Sequence, residues 1–102
     1  MPYQMTVGLR VTDQTRYAAY RNEMRPLLEG VGGSFRFDCE VAQVWKGAEG
    51  EAGVNRLFVI EFPSREAKNQ FFGNPQYAEI RGRLFVPSVA STSIIAEYEA
   101  AG

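Results

Sequence analysis

Leu57-Phe58-Val59-Ile60-Glu61-Phe62 is a run of apolar, β-favouring residues long enough for one strand and too short for a helix. Alternation sends Leu57 and Val59 to one side and Phe58, Ile60 and Phe62 to the other, so the strand is apolar on both faces. Such a strand belongs in the middle of a layered structure. Pro63 cannot donate to a sheet ladder and ends the pairing. Ser64 is then placed to cap a helix, with Glu66 in its first turn and Ala67, Phe71 and Phe72 on one side.

The rest of the chain supplies helices for one layer only. Tyr3 to Val11 reads as a first strand, with Met5, Val7, Leu9 and Val11 alternating with polar or small residues. Thr12-Asp13 makes a turn and an N-cap. Tyr17, Tyr20, Met24, Leu27 and Val31 recur at helical spacing, with Arg16, Arg21, Glu23 and Arg25 assigned to the outer face. Pro26 predicts a bend or an early end to this helix, because an interior proline removes a hydrogen bond. Gly30, Gly32 and Gly33 mark its terminus.

Ser34 to Trp45 reads as the second strand, with Phe35, Phe37, Cys39 and Val41 on one face and Arg36, Asp38 and Glu40 on the other. Lys46 to Asn55 is a polar, glycine-rich connection expected to form a mobile hairpin loop. After the third strand and its helix, Gly73-Asn74-Pro75 breaks and restarts the helix, with Asn74 as cap and Pro75 in the first position. Tyr77, Ile80 and Leu84 continue the buried stripe, Pro87 stops it, and Ser91 to Tyr98 forms the last strand.

The order β-α-β-β-α-β is the split βαβ arrangement of a ferredoxin-like α+β fold: a four-stranded antiparallel sheet with both helices on one face. At 102 residues, 45% of them apolar, residues 1–102 make a single domain with a modest core. The second sheet face would leave Leu57 and Val59 in an apolar patch. A second copy packed sheet against sheet is the simplest cover, which predicts a homodimer enclosing a barrel.

Composition narrows the chemistry. Eleven Lys and Arg against twelve Asp and Glu leave a net charge of −1, so neither nucleic acid nor membrane is expected as a partner. One cysteine, Cys39, excludes an internal disulfide framework and a cysteine zinc site, and fits a reducing cytoplasm. The N-terminus does not read as a signal peptide, and no apolar run is long enough for a bilayer. Histidine is absent, which removes Ser-His and Cys-His nucleophile pairs, His-ligated metals and proximal-His haem. No metal and no cofactor is assigned. Chemistry is left to carboxylates, tyrosines, arginines, Cys39, the backbone or a cofactor the sequence does not reveal.

Phe62-Pro63-Ser64 after an apolar strand, then Ala67, Phe71-Phe72 and Asn74-Pro75-Gln76-Tyr77, resemble a bacterial family of small dimeric α+β-barrel proteins, domain of unknown function 1330. Tyr17, Tyr20 and Gly32-Gly33 fit the same pattern, so the resemblance spans most of the chain. It implies a ferredoxin-like protomer and a homodimer, and no established reaction. At the level of fold alone it is similar to cofactor-free monooxygenases, isomerases and cyclases. Family members often carry an Arg-Gly-Gly-like segment in the second strand, where this chain reads Phe37-Asp38-Cys39-Glu40; a pocket shaped by that segment would be altered here.

Glu61 is the sharpest catalytic candidate. It shares a face with Leu57 and Val59, where partial desolvation would make it a general acid or base. The plainer alternative, and the commoner fate of such a charge, is an ion pair with Arg10 or Arg36, or simple exposure at the strand end. Arg36 and Asp38, with Glu40, form a polar row that can bind a ligand or simply protect a sheet edge. Tyr17 and Tyr20 can send hydroxyls into a helix–sheet pocket or serve as core with wet tips. Trp45, beside the loop, can stack on an aromatic ligand or pack. Cys39 reads as a small hydrophobe.

These readings leave a homodimeric binder of a small, largely apolar molecule, near the inter-sheet barrel or in a helix–sheet pocket. A cofactor-independent enzyme using Glu61 or a tyrosine for proton transfer, and a protein-interaction module whose sheet face meets a different partner, are the alternatives.

Overall fold

A computed structural model describes residues 1–101. The elements are β1 (Tyr3–Val11), α1 (Gln14–Gly30), β2 (Ser34–Glu40), β3 (Arg56–Phe62), α2 (Arg65–Phe72), α3 (Pro75–Ile80) and β4 (Val89–Glu99). The strands form one antiparallel sheet in the order β2-β3-β1-β4, with all helices on one face. This is the ferredoxin-like α+β arrangement expected from the sequence. No helix among the described residues is long and apolar enough to cross a membrane.

The helix boundaries follow local chemistry. Asp13 accepts from the Arg16 amide, Ser64 from the Ala67 amide and Asn74 from the Gln76 amide, each capping the helix that follows. Gly32, at φ 79°, closes α1: its amide bonds to the Glu29 carbonyl and the Gly33 amide to that of Leu28, both at 2.9 Å. Pro26 neither ends nor splits α1, contrary to one expectation from sequence. It lies on the exposed side with Asn22, where the unbonded carbonyl is open to solvent and the lost hydrogen bond costs less.

The core lies between the helices and the face of the sheet carrying Met5, Val7, Leu9, Phe58, Ile60 and Phe62. Leu9 and Phe62 are fully buried, and each such side chain contributes roughly 1.5–3 kcal/mol relative to exposure. Leu57, Val59 and Glu61 face the other way and are half-buried, so β3 is two-faced as its pattern implies.

Three details depart from the sequence reading. The β2–β3 register shifts between Phe35 and Phe37: Phe35 pairs with Ile60, but Phe37 pairs with Val59 and Asp38 with Phe58. A bulge thus reverses the alternation, putting Phe35 and Asp38 on the helix face and Phe37 and Cys39 on the open face. The expected grouping of Phe35 with Phe37 and Cys39 is therefore corrected.

β2 also ends at Glu40 instead of Trp45. The connecting loop leaves the ladder because β1 and β4 hold it. The Asn55 side chain pairs with the Val11 backbone in both directions, at 2.7 and 2.9 Å, and Ser93 donates to Glu51 at 2.6 Å.

Finally, a single π turn at Arg81–Phe85 inserts one residue into the helical register after α3. Phe85 is buried as a result, and Leu84, expected in the core, is only half-buried.

Candidate functional site

A cavity of 430 Å³ opens between α1, the α2–α3 segment and the helix-facing side of the sheet. Met5, Val7, Ile60, Phe58, Phe71 and Phe85 supply its apolar walls. Its inner polar atoms come from Tyr17, Tyr20, Arg21 and Tyr77, all buried. Lys68, Arg81 and Glu97 stand where the cavity meets solvent, beside the half-exposed Ile94.

The spacing of α1 builds the polar wall. Tyr17, Tyr20, Arg21 and Met24 fall on one helical face at three- and four-residue intervals. Arg21 Nε donates to the Tyr17 hydroxyl over 2.7 Å. Its guanidinium lies 3.8 Å from the centroid of Phe35 and 4.9 Å from that of Phe58. These stacking contacts favour arginine over lysine in an aromatic setting.

Its charge predicts the outer face of the helix for Arg21, yet it is 7% exposed. Burial is tolerated because Asp38 accepts from both terminal nitrogens of Arg21, at 3.2 and 3.4 Å. The same carboxylate accepts from Arg56 at 2.8 Å twice. Burial alone would raise the Asp38 pKa; hydrogen bonds from Arg56 and the charge of Arg21 prevail and hold it below the ordinary aspartate value.

The Tyr20 and Tyr77 hydroxyls are 2.8 Å apart, joining α1 to α3 across the cavity wall. Burial pushes the pKa of Tyr17, Tyr20 and Tyr77 above the ordinary tyrosine value, with the neighbouring phenol adding to the effect at Tyr20. All three therefore keep their protons at neutral pH.

The residues singled out from sequence separate into distinct places. Tyr17 and Tyr20 line the cavity together. Asp38 stands behind Arg21, outside the cavity lining. Arg36 and Glu61 are on the opposite sheet face, 3.7 Å apart, and Gln4 donates to Glu61 at 2.6 Å. Tyr98 in turn donates to Gln4 at 3.0 Å, so a polar row crosses the open face of the sheet at that level. Trp45 is 88% exposed in the loop, far from packed. Sequence reasoning does not nominate the buried Arg21 and Tyr77 of the cavity, nor Lys68, Arg81 and Glu97 at its mouth. The four-residue step from Tyr17 to Arg21 was the available signal for the first.

A four-stranded antiparallel sheet in this order, with helices on one face and a cavity between the layers, defines a ferredoxin-like α+β fold. The chain belongs to the family described as Domain of unknown function (DUF1330), whose model matches residues 3–98. Among solved structures, a protein of unknown function from Rhodopseudomonas palustris is similar, with TM-score 0.81 and 21% identity over 99% of this chain and 83% of that one. A dabb family protein with a ferredoxin-like fold from Mesorhizobium loti matches with TM-score 0.69 and 15% identity, over 99% and 98% of the two chains. A dimeric ferredoxin-like protein of unknown function from Jannaschia sp. matches with TM-score 0.66 and 10% identity, over 98% and 100%. At these identities the likeness is one of fold. Among curated proteins, none matches significantly.

Proposed function

We propose that this chain acts as a homodimer in which each protomer binds one small, largely apolar aromatic molecule in its helix–sheet cavity. The cavity carries the reading. Its 430 Å³ lies within the range of small-molecule sites, and its walls are apolar with a few convergent polar atoms. Neutral phenols can donate to a bound oxygen or polarise a carbonyl, whereas none is poised to take a proton at neutral pH. Binding, with no reaction assigned, is the function this supports.

Self-association is supported by the open sheet face. Phe37 and Ile95 are about half exposed there, beside Leu57, Val59 and Cys39. Such a patch on a single subunit favours cover by a second copy. The Jannaschia protein of the same fold is described as dimeric. In that assembly Glu61 would lie between the two sheets, the one setting in which it remains a candidate acid or base. A reducing compartment such as the cytoplasm suits the free thiol of Cys39.

The test is ligand-observed NMR with naphthalene-sized aromatics, on the wild type and on Ile94→Trp. Ile94 is 55% exposed, so the larger ring is tolerated in the fold while it narrows the entrance. Saturation transfer that weakens in the variant supports the cavity as the site. Equal transfer to both proteins, or none to either, overturns it.

A further inference from the structure

The hydrogen-bond inventory of the cavity specifies more than size. Tyr17 oxygen accepts from Arg21, and among the described residues its own proton meets no acceptor. Between Tyr20 and Tyr77 one proton lies on the line of oxygens, which leaves the other phenol proton over, whichever residue donates. The buried wall therefore offers two spare O–H donors. A second lone pair on a phenol oxygen is routinely left unused, whereas an unmatched buried donor is costly.

Water can take these protons while the cavity is empty. A ligand that displaces the water must bring acceptors, or the site loses hydrogen bonds on binding. Where the cavity meets solvent it is lined by Lys68 and by Arg81, whose charge reaches the Tyr77 phenol, and no carboxylate of the described residues forms an ion pair with either. Glu97 is the one acidic residue of the lining, so the formal charge at the entrance is positive.

We infer that the ligand is an amphiphilic organic monoanion: an aromatic body with a carbonyl or similar acceptor oxygen held by Tyr17 and the Tyr20–Tyr77 pair, and a carboxylate-type group at Lys68 and Arg81. This rests on the cavity being the binding site. It further excludes cations, amines and pure hydrocarbons as the preferred occupants. The acceptor end enters first, because desolvating the ionised end would be the more expensive alternative.

Four naphthalene probes separate the claims: one with an acetyl group at one end and a carboxylate at the other, one with ethyl replacing acetyl, one with ethyl replacing carboxylate, and one with ethyl at both ends. Binding is measured by calorimetry, or by competition for the sparingly soluble hydrocarbon. The acetyl carboxylate should bind tightest, with each replacement weakening it roughly tenfold. The carboxylate advantage should shrink in Lys68→Gln/Arg81→Gln and at high salt. The acetyl advantage should shrink in Tyr17→Phe, whose fold is checked by its circular dichroism and unfolding midpoint.

If all four probes bind within about twofold of one another and Ile94→Trp weakens them alike, the cavity binds ligands but the inferred polarity is wrong. If no probe binds, or binding ignores Ile94→Trp, the cavity reading itself fails and takes this inference with it. An amine analogue binding more tightly than the carboxylate also overturns the charge assignment.

Discussion

Tyr20 and Tyr77 face each other with their hydroxyl oxygens 2.8 Å apart, so the wall of the cavity is closed by one hydrogen bond between α1 and α3. Their sequence separation is 57 residues, and the bond is buried. The pair ties the shape of the cavity to the docking of the two helical segments.

This pair makes stability sensitive to alkaline pH. The folded pKa of Tyr20 is raised, chiefly by burial, so its contribution is complete below the unfolded tyrosine value of about 10 and is lost as pH rises through the folded value. Urea midpoints should hold from pH 7 to about 9 and fall above about 10. Tyr20→Phe should be less stable at neutral pH by about 1 kcal/mol and show a shallower alkaline decline. An equally steep decline in the variant would remove Tyr20 as a contributor.

Asp38 should be the most costly single carboxylate to neutralise. Asp38→Asn leaves the buried Arg21 without its counter-charge and frees Arg56, an expected loss of about 2 kcal/mol, moderated because Asp38 retains some solvent contact. Arg36→Gln serves as the comparison. Its partner lies 3.7 Å away and its own side chain is 61% exposed, so a change within about 0.5 kcal/mol is expected. Chemical denaturation of both variants decides the order.

The same carboxylate gives an acid limb. Its folded pKa is lowered, because the Arg56 hydrogen bonds and the Arg21 charge outweigh burial. The stabilisation is therefore present above the unfolded value of about 3.9 and disappears as pH falls through the lower folded value. Wild type and Asp38→Asn should differ by a constant amount from pH 7 to about 5 and converge below about 4. Parallel curves across that range would contradict the assignment.

Phe37→Arg tests the open face. Two such charges brought together by a two-fold contact would repel across an otherwise apolar surface. Sedimentation velocity should show a dimer for wild type and a folded single subunit for the variant, with unchanged far-ultraviolet circular dichroism. A wild-type monomer would instead favour a different partner for this face.

Glu61→Gln should leave cavity binding unchanged, because Glu61 is held by Gln4 and Arg36 on the far side of the sheet. Calorimetry with the probe that binds wild type gives the comparison. A large loss of affinity would mean that the two sheet faces communicate. Any turnover later found and lost in this variant would place chemistry between the sheets.

Much of the fold was legible because it depends on neighbours in sequence. Asp13, Ser64 and Asn74 cap helices using amides two or three residues away, and Gly32 closes α1 through its own backbone freedom. The alternation of Leu57 to Phe62 fixes a two-faced strand whatever surrounds it. Tyr17 and Tyr20 could be placed on the inner face of α1 by spacing alone, although spacing could not say whether they met a cavity or a filled core.

The remainder was decided by partners distant along the chain. The bulge in β2 exists only in register with β3, and it alone turns Asp38 toward the helices. Arg21, one turn beyond Tyr17, is charged and would be read as exposed until Asp38 arrives to balance it, 17 residues later in sequence. Tyr77 reaches Tyr20 only after β2, β3 and α2 have brought α3 alongside α1. Sequence therefore determined the elements, their order and the two-faced strand, since these follow from local sterics and periodicity. Tertiary structure determined the cavity and its donors, because buried charge and paired phenols are stable only where the complete fold supplies the opposing group.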